Sequence, residues 1–208
     1  MMPIWHGSAV AAECSPAPSV VGFHGKLPGI GDFARRRLSD ALVQAWDAHA
    51  SQQLARHPQL AEAQGDGWCF AFAAGLCGVQ GWAGVAAPSR DRVGRAFPLL
   101  LALPLAADDP VQAPQLPSAR WLDALLALQV QVTQGGMHLP DMLDNACHDL
   151  PPAWPGQVGP LAWQACWAQR GSLWWRDARP PCVLPGLPAD DLLLRAVHAS
   201  CAPGQHTP

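Results

Sequence analysis

The chain has 208 residues, of which half are hydrophobic and 14% charged, with a formal net charge of -3. That length fits one domain able to bury a core without covalent staples, and the hydrophobic content excludes an intrinsically disordered chain. The slight negative balance excludes a global positive field that would draw the protein to nucleic acid or anionic lipid. Seven cysteines (Cys14, Cys69, Cys77, Cys147, Cys166, Cys182 and Cys201) are scattered and odd in number, with no Cys-x-x-Cys pair. Neither a disulfide framework nor a zinc knuckle follows, and they read as reduced, buried side chains of a cytoplasmic protein. Residues 1–18 lack the basic and apolar regions of a signal peptide and read as a flexible leader. The longest apolar run, Ala96 to Ala107, is interrupted by Pro98 and Pro104. It falls short of the ~20 residues that span a bilayer, so it reads as a buried strand and no membrane insertion is expected.

In chain order, Val20–Leu27 has strand character, with Val21, Phe23 and Leu27 on one face. Pro28-Gly29-Ile30-Gly31-Asp32 is a loop whose glycines allow positive φ or close backbone approach. A helix follows, capped by Ser39, with Leu38 and Val43 placed as a hydrophobic staple. Leu42, Trp46, Ala50 and Leu54 form its apolar stripe, and His57-Pro58 interrupts it. Three strands come next: Trp68–Ala74, with Trp68, Phe70 and Phe72 on one face; Gly81–Pro88, after the turn Gly75–Gly78; and Phe97–Leu105, apolar on both faces as a covered central strand is. Their short connections favour an antiparallel meander.

Ser118 is read as the cap of a second helix, with Trp121, Leu125, Leu128 and Val132 as its stripe and Gly135-Gly136 as its end. Residues 139–150 form a shorter helix with Leu143, Cys147 and Leu150 on one face. Pro151–Pro160 is a loop with four prolines. Leu173-Trp174-Trp175 is a strand, and Pro188 opens a last short helix through Val197. Residues 199–208 are a frayed tail. One domain over 19–198 results, α/β or α+β in class: a mainly antiparallel sheet flanked by helices.

The familiar chemical motifs are missing. Lys26 follows Gly25, but Leu27 occupies the position where a phosphate-binding loop needs a hydroxyl. Ala34 stands where a dinucleotide fingerprint has its third glycine. There is no Gly-x-Ser-x-Gly elbow and no His-Glu-x-x-His. Cys147 and His148 are neighbours on a helix and do not face each other. Asp108-Asp109 and Asp190-Asp191 read as solvated loop and helix-start acids. A lone His24 is more often structural than catalytic. No cofactor, no metal and no catalytic residue is assigned, and the chain reads as a binding protein.

One pattern stands out. Lys26, Arg35, Arg36, Arg37, Arg90, Arg92 and Arg95 are seven of the thirteen basic residues, and they occupy two short stretches. Each stretch holds one acid, Asp32 or Asp91. Either the loops meet and Asp–Arg pairs lock them, or the arginines form a polar surface on which a partner docks. The constellation assigned is Lys26, Asp32, Arg36, Asp91, Arg92 and Arg95, framing an interface or fixing the loops beneath it. Of the ten tryptophans, Trp46, Trp68 and Trp121 lie on core faces, and one or two of those crowding the last third are expected to be exposed.

Two longer signatures resemble a known family. Gly22-Phe23-His24-Gly25-Lys26-Leu27-Pro28, with Gly31-Asp32-Phe33, Arg36 and Leu38, is similar to the opening of the TagF family of type VI secretion. Trp46-Asp47, Phe70 and Trp82-Ala83-Gly84-Val85 follow in order. Then come Pro88-Ser89-x-Asp91-x-Val93-Gly94-Arg95-x-Phe97-Pro98-Leu99 and Ser172-Leu173-Trp174-Trp175. His49 departs from the pattern where the family often carries a second tryptophan, and the connection after Leu99 is Pro-rich and poor in charge. The resemblance implies a longin-like sheet with helices on its faces. It also implies a non-enzymatic repressor of type VI secretion that acts after translation by binding the forkhead-associated scaffold protein and opposing threonine-phosphorylation-dependent activation. Some relatives carry a fused phosphatase, for which 208 residues leave no room. The alternatives are a hydrolase of unknown substrate and a structural subunit of the secretion apparatus.

Overall fold

The computed structural model describes residues 20–62, 67–106, 111–157, 159–176 and 180–188. The expected leader, frayed tail and last helix through Val197 lie outside the described residues, Pro188 apart. Seven strands build one sheet: β1 (Gly22–Lys26), β2 (Phe33–Arg36), β3 (Trp68–Phe72), β4 (Gly81–Ala87), β5 (Leu99–Leu105), β6 (Ser172–Trp175) and β7 (Cys182–Leu184). Among the described residues four α-helices accompany them: α1 (Asp40–Arg56), α2 (Ala119–Thr133), α3 (Pro140–His148) and α4 (Leu161–Ala168). The sheet order is β2-β1-β5-β4-β3-β6-β7, and every neighbouring pair is antiparallel. The fold is α+β, with an open sheet that does not close into a barrel.

Alternation sorts the strand side chains onto two faces. On one, Phe23, Leu99, Leu101, Leu103 and Leu173 pack with Trp121, Leu125, Val132, Leu143 and Trp163 from α2, α3 and α4. On the other, Phe70, Phe72, Trp82, Leu100 and Trp174 pack with Leu42, Trp46 and Ala50 of α1. Strands β4 and β5 are covered on both faces, which is why their sequences are almost continuously apolar. The helix starts follow local chemistry. Ser39 Oγ accepts from the Leu42 N–H and Ser118 Oγ from the Trp121 N–H. Helix α2 stops where Gly135 takes a φ of 84°.

Three elements depart from the sequence reading. Residues 33–36, read as loop, form edge strand β2, of which Ala34 alone is buried. Leu161–Ala168, left unassigned, is helix α4, with no side-chain cap and its buried side chains at Trp163, Cys166 and Trp167. Cys182–Leu184 adds a three-residue strand. The expected exposed tryptophans are also corrected. Trp163, Trp167 and Trp174 are buried and Trp154 and Trp175 half-buried, because both sheet faces need large apolar fillers.

Candidate functional site

The two basic stretches meet where β1 ends. Gly25, at φ 145°, lets β1 run so close to the start of β5 that an added Cβ would stand 2.6 Å from the Pro98 oxygen. At Gly29 an added Cβ would fall 2.4 Å from the His138 oxygen, so the 28–32 loop is pressed against the chain leading into α3. Gly31 has no such constraint, since a Cβ there would meet only Arg92, at 3.9 Å. Residues 89–97 fold back on themselves: Phe97 N–H donates to the Ser89 oxygen (3.0 Å) and Asp91 N–H to the Arg95 oxygen (3.0 Å). The tip turns at Gly94, whose N–H donates to the Asp91 oxygen.

Asp91 is the pivot. Its side chain is fully enclosed. Lys26 Nζ lies 3.2 Å and Arg95 Nε 2.7 Å from Oδ2. Oδ1 accepts from the Val93 N–H (3.0 Å) and the Arg95 N–H (2.9 Å). Burial alone would push this carboxyl up. The Arg95 backbone and side chain, Lys26 and the Val93 N–H outweigh that and hold it well below the usual carboxylate range. The loops are stitched further by Ser89 Oγ donating to the Lys26 oxygen (2.7 Å), by Arg92 N–H donating to the Ile30 oxygen (2.9 Å), and by the Arg95 guanidinium on the Gly31 oxygen.

Beside this lock sits an aromatic stack. Phe33 lies parallel to His24 with centroids 5.4 Å apart, meets Phe97 edge-on at 4.8 Å, and carries Lys26 Nζ 4.2 Å from its centroid. His24 Nε2 is 2.6 Å from Asp47 Oδ1 on α1. Its Nδ1 is buried and has no hydrogen-bond partner among the described residues. This pair, a buried imidazole on a half-exposed carboxylate, belongs to the site, and sequence reasoning missed it. The signal was the matching Gly-Phe-His-Gly-Lys and Trp-Asp segments, which lie 23 residues apart and meet across the β1–α1 packing. At His49 burial lowers the imidazole pKa. Its ring lies 5.8 Å from Trp46.

Of the six residues assigned from sequence, Lys26, Asp91 and Arg95 form one contact network, and Arg92 lies beside it at the loop tip. Asp32 is exposed in the 28–32 loop, its Oδ1 accepting from the Phe33 N–H (2.8 Å). Arg36 does not join them. The β1–β2 register pairs Lys26 with Phe33 and Phe23 with Arg36. Alternation therefore sends Phe33 to the α1 face and Arg36 to the other. There Arg36 pairs with Asp141 of α3 at 3.2 Å, while Arg37 pairs with Asp144. The expected single patch is split by the period of a strand that was read as loop. Among the described residues, no group of three or more His, Cys, Asp or Glu is arranged to hold a metal ion, and no helix is long and apolar enough to cross a membrane. Burial pushes the Cys147 thiol up to about 12 and those of Cys77 and Cys166 to about 11, so at neutral pH these sulfurs stay protonated.

The fold and this site define a small α+β domain whose distinctive chemistry is a pair of locked loops at one sheet end. The chain belongs to the TagF N-terminal domain family, described as type VI secretion system-associated, whose model matches residues 22–148. It is similar to the crystal structure of PA0076 from Pseudomonas aeruginosa PAO1. The identity is 27% over 90% of this chain and 97% of that one, with a TM-score of 0.63. No curated protein matches. Both basic stretches, α1 and α3 fall inside the family match. The chain is thus an accessory protein of type VI secretion.

Proposed function

We propose that this protein represses type VI secretion after translation, in the cytoplasm, by occupying a surface of the forkhead-associated scaffold protein so that activating contacts cannot form. The observation that carries this reading is the family match across residues 22–148, which contains the whole locked-loop region. Binding rather than catalysis is supported by the state of the polar groups. The Asp91 oxygens are taken by Lys26, Arg95 and two backbone N–H groups. His24 is buried under Phe33, out of reach of a substrate. A 22.1 kDa domain has surface enough for the ~800 Å² per partner of a standard interface.

The test is co-purification of the full chain with the scaffold from the host, together with a secretion assay. Capture of the scaffold and reduced secretion on overproduction are the expected results. Stoichiometric retention in the assembled apparatus, or phosphoester turnover that disappears in Asp32→Asn, would contradict the proposal.

A further inference from the structure

The loop network divides its charges between inside and outside. Lys26 and Asp91 are both buried and face each other, so their charges offset beneath the surface. Above them Arg95 stays 62% exposed while its Nε is held by Asp91 and its terminal nitrogen by the Gly31 oxygen. The Arg92 side chain is exposed, and among the described residues no acid pairs with it. Its backbone, however, is fixed to Ile30. Val93, 66% exposed, stands at the tip with its N–H tied to Asp91. Across the junction Phe33, 43% exposed, is supported from below by His24, Phe97 and Lys26. The only exposed acid in these two loops is Asp32, whose Oδ1 is engaged by its own chain.

From this we infer that Phe33, Arg92, Val93 and Arg95 form the docking surface, and that its occupant is an acidic segment of the partner carrying an apolar side chain. Two guanidiniums beside two exposed apolar side chains complement carboxylates flanking one apolar residue. Arginine and aromatic side chains held in place before binding are the groups that dominate interface energetics. A hydrophobic partner surface without acids would leave Arg92 and Arg95 desolvated and unpaired. This assignment rests on the scaffold reading above, and places the contact at one end of the sheet, on the α1 side.

The experiment is isothermal titration of the purified full chain with the purified forkhead-associated scaffold. Wild type is compared with Arg92→Glu, Val93→Asp and Phe33→Ala, with Arg120→Glu, at an exposed position of α2, as control. Arg92→Glu and Val93→Asp lie at an exposed tip and are expected to keep the wild-type melting temperature while binding at least about tenfold more weakly. Phe33→Ala is expected to weaken binding by about tenfold, and Arg120→Glu by less than about twofold. Raising NaCl from about 50 to about 300 mM should weaken wild-type binding several-fold. If wild type binds and both tip variants bind equally well, the docking surface is wrong and the scaffold reading survives. If wild type does not bind the scaffold, that reading fails and takes this assignment with it. Binding that strengthens with salt would overturn the acidic occupant alone.

Discussion

The loop junction beside α1 and the seam between β2 and α3 use the same charged residue types and reach opposite outcomes. At the junction, Lys26 and Asp91 are buried in contact with each other, and the carboxylate is saturated with donors. At the seam, Arg36 and Asp141 meet in solvent, with side chains 43% and 91% exposed. Arg37 and Asp144 are intermediate. Arg37 also donates twice to the Val21 oxygen, at 3.1 and 2.8 Å, from a left-handed backbone at φ 54°. The difference teaches that location, not composition, decides what a charge contributes. Removing one partner of a buried pair strands the other, whereas an exposed pair gives up contacts that water replaces.

Substitutions along this gradient would sharpen or break the contrast. The largest effect is expected for Lys26→Met, which strands part of the Asp91 charge and removes the cation beneath Phe33. A loss of about 3 kcal/mol in urea unfolding is the predicted cost. Next comes Arg37→Ala, at about 1–2 kcal/mol for the lost hydrogen bonds to Val21. Arg37→Gly should recover part of that, because glycine adopts the left-handed backbone without strain. Smaller again is Arg36→Ala, below about 1 kcal/mol and vanishing at high salt. Equal losses for Lys26→Met and Arg36→Ala would remove the distinction between the two regions.

Acid adds a further contrast. The Arg37 hydrogen bond holds the Asp144 carboxyl below its ordinary value, against a smaller upward push from burial. A depressed carboxyl contributes stability that is complete above its unfolded value, near about 4, and is lost as pH falls through the folded one. Melting temperature should therefore fall with pH below about 4, and Arg37→Ala should fall less steeply there than wild type. Parallel profiles would remove Arg37 as the cause.

Much of the frame was legible because its signals are local. Ser39 and Ser118 announced their helices; the stripe Trp121-Leu125-Leu128-Val132 is buried as its spacing required, and of Leu42-Trp46-Ala50-Leu54 the first three are buried and Leu54 half-buried. β2 was missed because Phe-Ala-Arg-Arg buries only Ala34 and carries no apolar alternation; pairing with β1 makes it a strand. α4 lacks a side-chain cap and follows a Pro-rich loop, although Trp163, Cys166 and Trp167 held the helical spacing. The site was legible as two clusters of charge with an acid in each. Its division was not, because which arginines share a face depends on the β1–β2 register. His24–Asp47 escaped for a related reason. It is a contact across the packing of a strand and a helix, which spacing along the chain does not reveal.

The account depends on residues 88–97 being held rigid by Asp91 before any partner arrives. Residue-resolved amide hydrogen exchange on the free full chain tests this most directly. Slow exchange is predicted at Arg92, which donates to Ile30, and at Val93 and Arg95, which donate to the Asp91 carboxylate, with protection reduced in Lys26→Met. Exchange of these three amides at unprotected rates in the wild-type protein would contradict it.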